Sequence, residues 1–350
     1  MRRNLLAIVG SQQFGLLVVI LLLSAVLTAF AGTHVERTTG QSVNNFLNPA
    51  TLMQVATFAS FFAIMAVGVT AVIITAGIDL SVGSTYALSG VLTAMALRHL
   101  ALTGPSAVLV GVLLACGLGL LCGLANGVMI TWLGVHPFII TLGTMWVFRG
   151  VAFVSSRGES ILLPTSLTSF AKSNVGLSPH LYPVPMLVML AVALIGWAYL
   201  SRTVTGRRVF AVGGNIEAAR YSGVRINPIL VGVYSFSGLT AGIAAFVAAG
   251  YFGAVSSADA TGYELYVIAS AVVGGASLAG GKGSAISAML GALLIALMQQ
   301  SIRTLHFDQK YEWIIIGCAI IIAVVLDRVS ARIGSRRLTR PKTEDGRSIQ

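Results

Sequence analysis

SRTVTGRRVFAVGGNIEAARYSGVRI, residues 201–226, is the longest polar interruption in the second half of a chain that is otherwise almost continuously apolar. It carries Arg202, Arg207, Arg208, Arg220 and Arg225 against a single acid, Glu217. The side of a membrane on which this stretch lies fixes how the apolar runs before and after it must be threaded. The part from Asn215 to Gly223 is predicted to be a short helix. Asn215 suits the N-cap, Glu217 lies in the first turn where the helix dipole favours an anion, Arg220 follows, and Gly223 can end it. Gly213 and Gly214 just before it suit a sharp backbone turn. Two readings stay open: a knob on which another protein docks, and an ordinary basic loop that merely sets topology.

The rest of the chain bears on that choice. Of 350 residues, 56% are hydrophobic and only 9% charged, against about 25% charged in soluble domains, and mean hydropathy is +0.89. This is the composition of an all-α, polytopic membrane protein in a lipid bilayer. The net charge of +11 sits in loops and tails between apolar runs, which is a topology pattern and implies no nucleic-acid partner. Cys116, Cys122 and Cys318 all lie in apolar segments, so they suit packing rather than a disulfide framework. Met1-Arg2-Arg3 and the apolar run to Phe30 resemble a signal peptide, but the many runs that follow favour an uncleaved first span.

Ten runs are long enough to cross a bilayer core of about 30 Å. They are expected at 14–31, 52–76, 81–97, 106–130, 137–154, 184–200, 228–250, 264–280, 284–302 and 311–327. With a cytoplasmic N-terminus, the inner segments then hold Arg2, Arg3, the five arginines of the 201–226 loop, Lys282 and every Lys or Arg from Arg328 onwards. Outside fall only Arg37, Arg98, Arg157, Lys172, Arg303 and Lys310. The positive-inside rule thus favours ten spans with both termini cytoplasmic. The expected organisation is a cytoplasmic N-terminus at 1–13, one transmembrane domain at 14–327 that includes the cytoplasmic 201–226 loop, and a basic cytoplasmic tail at 328–350. The outer stretch 155–183, with Pro164, Pro179 and Pro183, is expected to be loop with one surface helix.

Within the fourth run, Gly111, Ala115, Gly119, Gly123 and Gly127 recur every four residues. They form one ridge on which a second helix can approach backbone to backbone. Asn126 flanks the ridge, either as an interhelical hydrogen-bonding group or as a polar lining of a path. Ionisable groups at membrane depth are candidates for function. Asp79, in Thr75-Ala76-Gly77-Ile78-Asp79-Leu80-Ser81-Val82-Gly83-Ser84, is expected to N-cap the third span, a role compatible with gating. Arg149 lies deep in the fifth span, where it can snorkel outwards, pair with Glu264 or line the outer mouth of a path.

Enzyme signatures are missing: there is no H-E-x-x-H, G-x-S-x-G, C-x-x-C or G-x-G-x-x-G, and His34, His99, His136, His180 and His306 are scattered. Ala276-Ser277-Leu278-Ala279-Gly280-Gly281-Lys282-Gly283 departs from a Walker A loop at both Ala276 and Gly283. It reads as a glycine turn, and neither a nucleotide nor a metal site is expected on this chain. A secondary transporter would carry paired acids or broken helices near the midplane, and an intramembrane enzyme would carry clustered His, Asp or Ser. Neither pattern is visible.

Taken in order, several motifs resemble one family. They are Ile78-Asp79-Leu80-Ser81-Val82-Gly83-Ser84, Thr141-Leu142-Gly143-Thr144 with Arg149-Gly150, and Gly206-Arg207. Then come Ala211-Val212-Gly213-Gly214-Asn215 with Glu217-Ala218-Ala219-Arg220 and Gly223, Gly262-Tyr263-Glu264-Leu265, and Val273-Gly274-Gly275 with Gly280-Gly281-Lys282-Gly283. From about residue 50 to Asp327 the chain resembles the permease subunits of bacterial ABC importers for ribose, xylose, arabinose, galactosides and related sugars. The resemblance implies an ABC importer permease fold in the bacterial inner membrane and a second permease subunit, identical or paralogous. It also implies a cytoplasmic ATPase that holds the ATP and Mg, a periplasmic sugar-binding protein, and a monosaccharide or related polyol as cargo. A branched-chain amino acid is the alternative cargo.

On the same resemblance, ATPase coupling falls to Gly206, Arg207, Gly213, Gly214, Asn215, Glu217, Ala218, Ala219, Arg220 and Gly223. Ala218, Ala219 and Tyr221 would form an apolar contact rimmed by Glu217 and Arg220. The translocation path or its gate falls to Asp79, Ser81, Asn126, Thr141, Arg149, Tyr263 and Glu264, with Tyr263 and Glu264 expected near the outer end of the eighth span.

Overall fold

A computed structural model describes residues 12–35, 40–176, 181–306, 308–311 and scattered positions from 313 to 321. The segment 1–11, most of the tenth expected span and the tail 328–350 lie outside the described residues. Helix α1 (Gln12–Phe30) leads to a hairpin of β1 (Thr33–Val35) and β2 (Ser42–Asn44), then to α2 (Pro49–Ile74), α3 (Val82–His99), α4 (Gly104–Leu133) and α5 (Pro137–Ser156). β3 (Ile161–Leu162) and α6 (Thr165–Ala171) follow, then α7 (Val184–Arg202), α8 (Val204–Gly214), α9 (Ile216–Tyr221) and α10 (Ile226–Phe252). β4 (Ala254–Val255), which pairs antiparallel with β3, precedes α11 (Tyr263–Val273) and α12 (Ala285–Thr304).

α2 is the central helix, buried from Ala59 to Ile74. Its start is built by polar groups: Pro49 occupies the first turn and the Asn48 side chain accepts from the Thr51 N–H at 2.8 Å. Asn44 and Asn45 donate to the carbonyls of Thr28 and Ala31, which ties the end of α1 to the start of α2. The expected glycine ridge packs α4 against α10. A Cβ at Gly119 or Gly123 would run into the carbonyls of Gly238 or Tyr234, and one at Gly127 would lie 2.7 Å from the Val231 Cα. Close backbone contact of this kind supplies the dispersion attraction that holds helices together in lipid.

Among the described residues seven helices are long and apolar enough to cross a membrane: α1, α2, α4, α5, α7, α10 and α12. α3 has 18 residues but carries Ser84, Thr85, Ser89 and Thr93 in its buried face. The expected span at 264–280 is corrected. α11 has 11 residues, about 16 Å of helix, too short for a core of about 30 Å. Gly275, Gly280 and Gly281 with positive φ (92°, 85° and 75°) end it and fold the rest into a turn. Small apolar residues there gave the turn the hydropathy of a helix.

Candidate functional site

α2 ends at Ile74 through paired bonds from Ala76 N to the Ile73 carbonyl and from Gly77 N to the Val72 carbonyl, with Ala76 left-handed at φ 59°. The chain then climbs back into the bundle. The Ile78 carbonyl accepts from the Thr141 hydroxyl of α5 (3.2 Å) and the Tyr234 hydroxyl of α10 (3.4 Å). Asp79 Oδ1 accepts from the Ser81 N–H (3.0 Å) and the Ser81 hydroxyl (2.7 Å), and its Oδ2 from the Ser237 hydroxyl (2.7 Å). Asn126 of α4 donates to Ser81 Oγ at 2.7 Å. Asp79, Ser81, Asn126 and Thr141 therefore meet at one buried junction of α3, α4, α5 and α10. Ser237 is the twelfth residue of α10, so the junction lies about 16 Å along that helix, well inside the bundle.

One expectation about this junction changes. The cap position of α3 is Ser81, and its own side chain makes no cap bond. Asp79 satisfies the turn entering the helix instead of the helix's second or third N–H. Ser237 and Tyr234, which complete the junction, were not singled out from sequence. The signal was present as polar residues in the apolar run Tyr234-Ser235-Phe236-Ser237-Gly238-Leu239-Thr240.

The segment after α10 re-enters in the same way. Arg149 Nη1 donates to the carbonyls of Ser257 (2.7 Å) and Asp259 (2.5 Å), and Asp259 Oδ2 accepts from the Ser256 N–H at 2.8 Å. Ala260 and Gly262 turn with φ 55° and 83°. A Cβ at Gly83 would lie 2.7 Å from the Ala260 carbonyl and 2.6 Å from Glu264 Oε2, so the first turns of α3 and α11 abut. Tyr263 and Glu264 therefore lie inside the bundle, not near an outer end as expected, because the chain descends between Phe252 and Gly262 before the helix begins. Arg149 does not form an ion pair with Glu264; it pins the re-entrant backbone instead. Tyr263 packs on Phe62 (4.8 Å between ring centroids) and Tyr86 (6.2 Å). Among the described residues Glu264 Oε2 is buried without a hydrogen-bond donor.

The 201–226 loop holds two helices, of which sequence reading anticipated one. Thr203 caps α8 by accepting from the Gly206 N–H (2.9 Å). α8 runs through Gly213 and Gly214, so these residues are not the expected turn. A Cβ at Gly213 would strike the Ile74 carbonyl, and Ile74 also accepts from the Gly281 N–H at 2.8 Å. Gly213 is thus a contact point on the end of α2. α9 forms as expected: Asn215 accepts from the Ala218 N–H at 2.9 Å, Gly223 (φ 79°) ends it, and Glu217 and Arg220 form an exposed pair at 3.3 Å. Ala219 does not contribute to an outward face, since it is buried at 4% exposure in the chain's own core, whereas Ile216, Ala218, Arg207 and Tyr221 are exposed. Asn215, Ile216 and Arg220 share a cleft of about 690 Å³ with Gly77, His136 and Asn227. The loop therefore borders the turn that leads to Asp79.

No solved structure matches the chain. Residues 51–324 match the family described as branched-chain amino acid transport system / permease component. The D-allose transport system permease protein AlsC of Escherichia coli K12 is 38% identical over 289 residues, covering 82% of this chain and 86% of that one. The ribose import permease protein RbsC of the same strain is 37% identical over 288 residues, 81% and 87% of the two chains. The fructose import permease protein FrcC of Rhizobium meliloti is 31% identical over 288 residues, 81% and 79%. With a family match over most of its length, and with relatives aligned over about four-fifths of it, the chain belongs to the permease components of ABC transporters and is a membrane transport subunit, not an enzyme.

Proposed function

We propose that this chain forms the path by which an ATP-driven importer carries a monosaccharide or related polyol across a bacterial inner membrane. The observation that carries the reading is the identity of 31–38% to permeases named for allose, ribose and fructose, over about four-fifths of the chain. In this reading two permease subunits enclose the path, a periplasmic binding protein delivers the sugar, and a cytoplasmic ATPase docks on the face of α8 and α9. Both termini lie on the ATPase side, as the arginine distribution favours. ATP and Mg belong to the ATPase.

The gate in this reading is the junction around Asp79 together with the abutting starts of α3 and α11. Two short re-entrant segments held by side-chain hydrogen bonds can separate and re-form without breaking the long helices. Coupling would run from α9 and Gly213 through the end of α2 to Asp79, since Gly213 rests on Ile74 and Gly77 borders the same cleft as Asn215.

The family's printed description keeps a branched-chain amino acid as the second reading. The test is reconstitution of the chain with its cognate ATPase and binding protein in proteoliposomes. ATP-dependent accumulation of a labelled aldose or ketose, with no accumulation of leucine, is expected. Leucine uptake without sugar uptake would overturn the cargo, and uptake of either without ATP would overturn the ABC reading.

A further inference from the structure

At the end of the molecule opposite α8 and α9, the last turns of α3 and α5 lie side by side. They leave a cleft of about 620 Å³ lined by Arg98, His99, Arg157, Glu159 and the hydroxyl-bearing Ser155 and Ser156. A second hollow of about 530 Å³ adjoins it, lined chiefly by Leu97, Leu102, Leu162, Leu163 and Pro164, and Arg98 lines both. A polar compartment with three basic side chains thus opens onto an apolar one. Both volumes are in the range of small-molecule sites.

The arginines here differ from the other cations of this end. Lys172 lies over the ring of Tyr251 and Arg303 over that of Phe58. Among the described residues, Arg98 and Arg157 have no carboxylate within ion-pair distance, although Glu159 lines the same cleft. The C-terminal dipoles of α3 and α5 favour cations at these positions, but a dipole requires neither a cleft nor an apolar hollow beside it. The surroundings set the depth. Phe153 and Val154 on α5 are 59% and 76% exposed, and Leu162 is 76% exposed, so the exposed apolar surface of α5 ends at this cleft.

We propose that the two hollows form one site for an anionic phospholipid. Its phosphodiester lies among Arg98, His99 and Arg157, and the upper part of an acyl chain lies along Leu102, Leu162 and Leu163. Arginine's planar fork suits phosphate oxygens. With Glu159 subtracting one charge from two arginines, the cleft matches a phosphodiester monoanion better than a free phosphate dianion. The apolar annex has no use for an ion without a chain. The site does not depend on which solute the transporter carries.

The test uses the full-length protein in detergent, titrated with phosphatidylglycerol, with phosphatidylcholine of the same chain length, and with inorganic phosphate, and read by native mass spectrometry. Wild type is expected to retain one phosphatidylglycerol with roughly tenfold preference over phosphatidylcholine. Arg98→Gln with Arg157→Gln should lose that preference while keeping the elution volume and melting temperature of the lipid-free protein. Glu159→Gln touches neither arginine and should strengthen phosphatidylglycerol binding several-fold, which keeps the proposal testable if the double variant misfolds. Equal retention of the two lipids, displacement of phosphatidylglycerol by inorganic phosphate at equal concentration, or weaker binding in Glu159→Gln would each overturn it. So would a double variant that keeps its lipid but loses a soluble binding protein, because the cleft would then serve an acidic protein surface.

Discussion

A carboxylate removed from water is tolerable only when its oxygens are met by donors, and Asp79 meets three, from the Ser81 amide and the hydroxyls of Ser81 and Ser237. The donors come from the residue's own turn and from α10, so Asp79 both shapes the entry to α3 and staples it to a neighbouring helix. Its role is accordingly predicted to be assembly or gating, not recognition of a sugar. Asp79→Asn keeps an amide oxygen for the Ser81 amide and should retain folded protein with reduced uptake. Asp79→Leu leaves buried donors orphaned, each at a cost of about 1–3 kcal/mol. It should lower the melting temperature of the purified protein and abolish uptake. An Asp79→Leu protein that assembles normally but changes its sugar preference would sink the assignment. The carboxylate itself was legible in the sequence, because an acid between apolar runs stands out. Its partner Ser237 stood out less, since any of the hydroxyls of Ser235, Ser237 and Thr240 in that helix bonds equally well to its own backbone.

At the scale of elements, the α4 and α10 contact shows which patterns survive translation into structure. A four-residue period of Gly and Ala puts every small residue on one face whatever the partner, so the ridge could be read without knowing what it met. The partner carries the same signal in Gly238 and Gly242. Short re-entrant helices give no such periodicity. Apart from Glu264, Ser270 and Ser277 the run from Tyr263 to Gly280 is apolar and looks like one span, yet it is a helix of 11 residues and a glycine turn. α8 was missed because glycines at its start and end resemble hinges, when Gly206 and Gly213 are there to let backbone carbonyls approach. The ridge makes a prediction with an internal control. Gly123→Ala inserts a methyl group into the Tyr234 carbonyl, whereas a Cβ at Gly117 on the same helix meets nothing within 4 Å. Gly123→Ala should destabilise the bundle by about 1–3 kcal/mol, as overpacking does. Gly117→Ala should be neutral or slightly stabilising because alanine is the better helix former. Comparing the melting temperatures of the two variants checks this, and equal melting temperatures would remove the ridge from the account of stability.

For the whole molecule the question is how an event at α8 and α9 could reach a junction buried well inside the bundle. α9 turns Ala219 inwards and leaves Ile216, Ala218 and Tyr221 outwards, with Tyr221 87% exposed. A tyrosine so exposed beside two apolar residues, rimmed by the Glu217 and Arg220 pair, has the make-up of an interface centre with a polar edge. The inward face rests on the chain's own core, so α9 is a two-sided element, able to pass a push on one face to the packing behind the other. This arrangement decides which substitution can test docking. Ala219→Asp would place a carboxylate in this chain's own core and should unfold or misassemble it, so it says nothing about a partner. Ala218→Asp and Tyr221→Ala alter only the outward face. Were α9 a solvated loop helix, both would fall within about 0.5 kcal/mol of wild type and leave transport intact. If it docks on the ATPase, both should leave the permease folded and in the membrane, release most of the co-purifying ATPase, and reduce uptake in step with that loss. Normal co-purification and normal uptake in both variants would strip α9 of the coupling role. ATPase that still binds while uptake fails would place the coupling step after docking, on the contact between Gly213 and the end of α2.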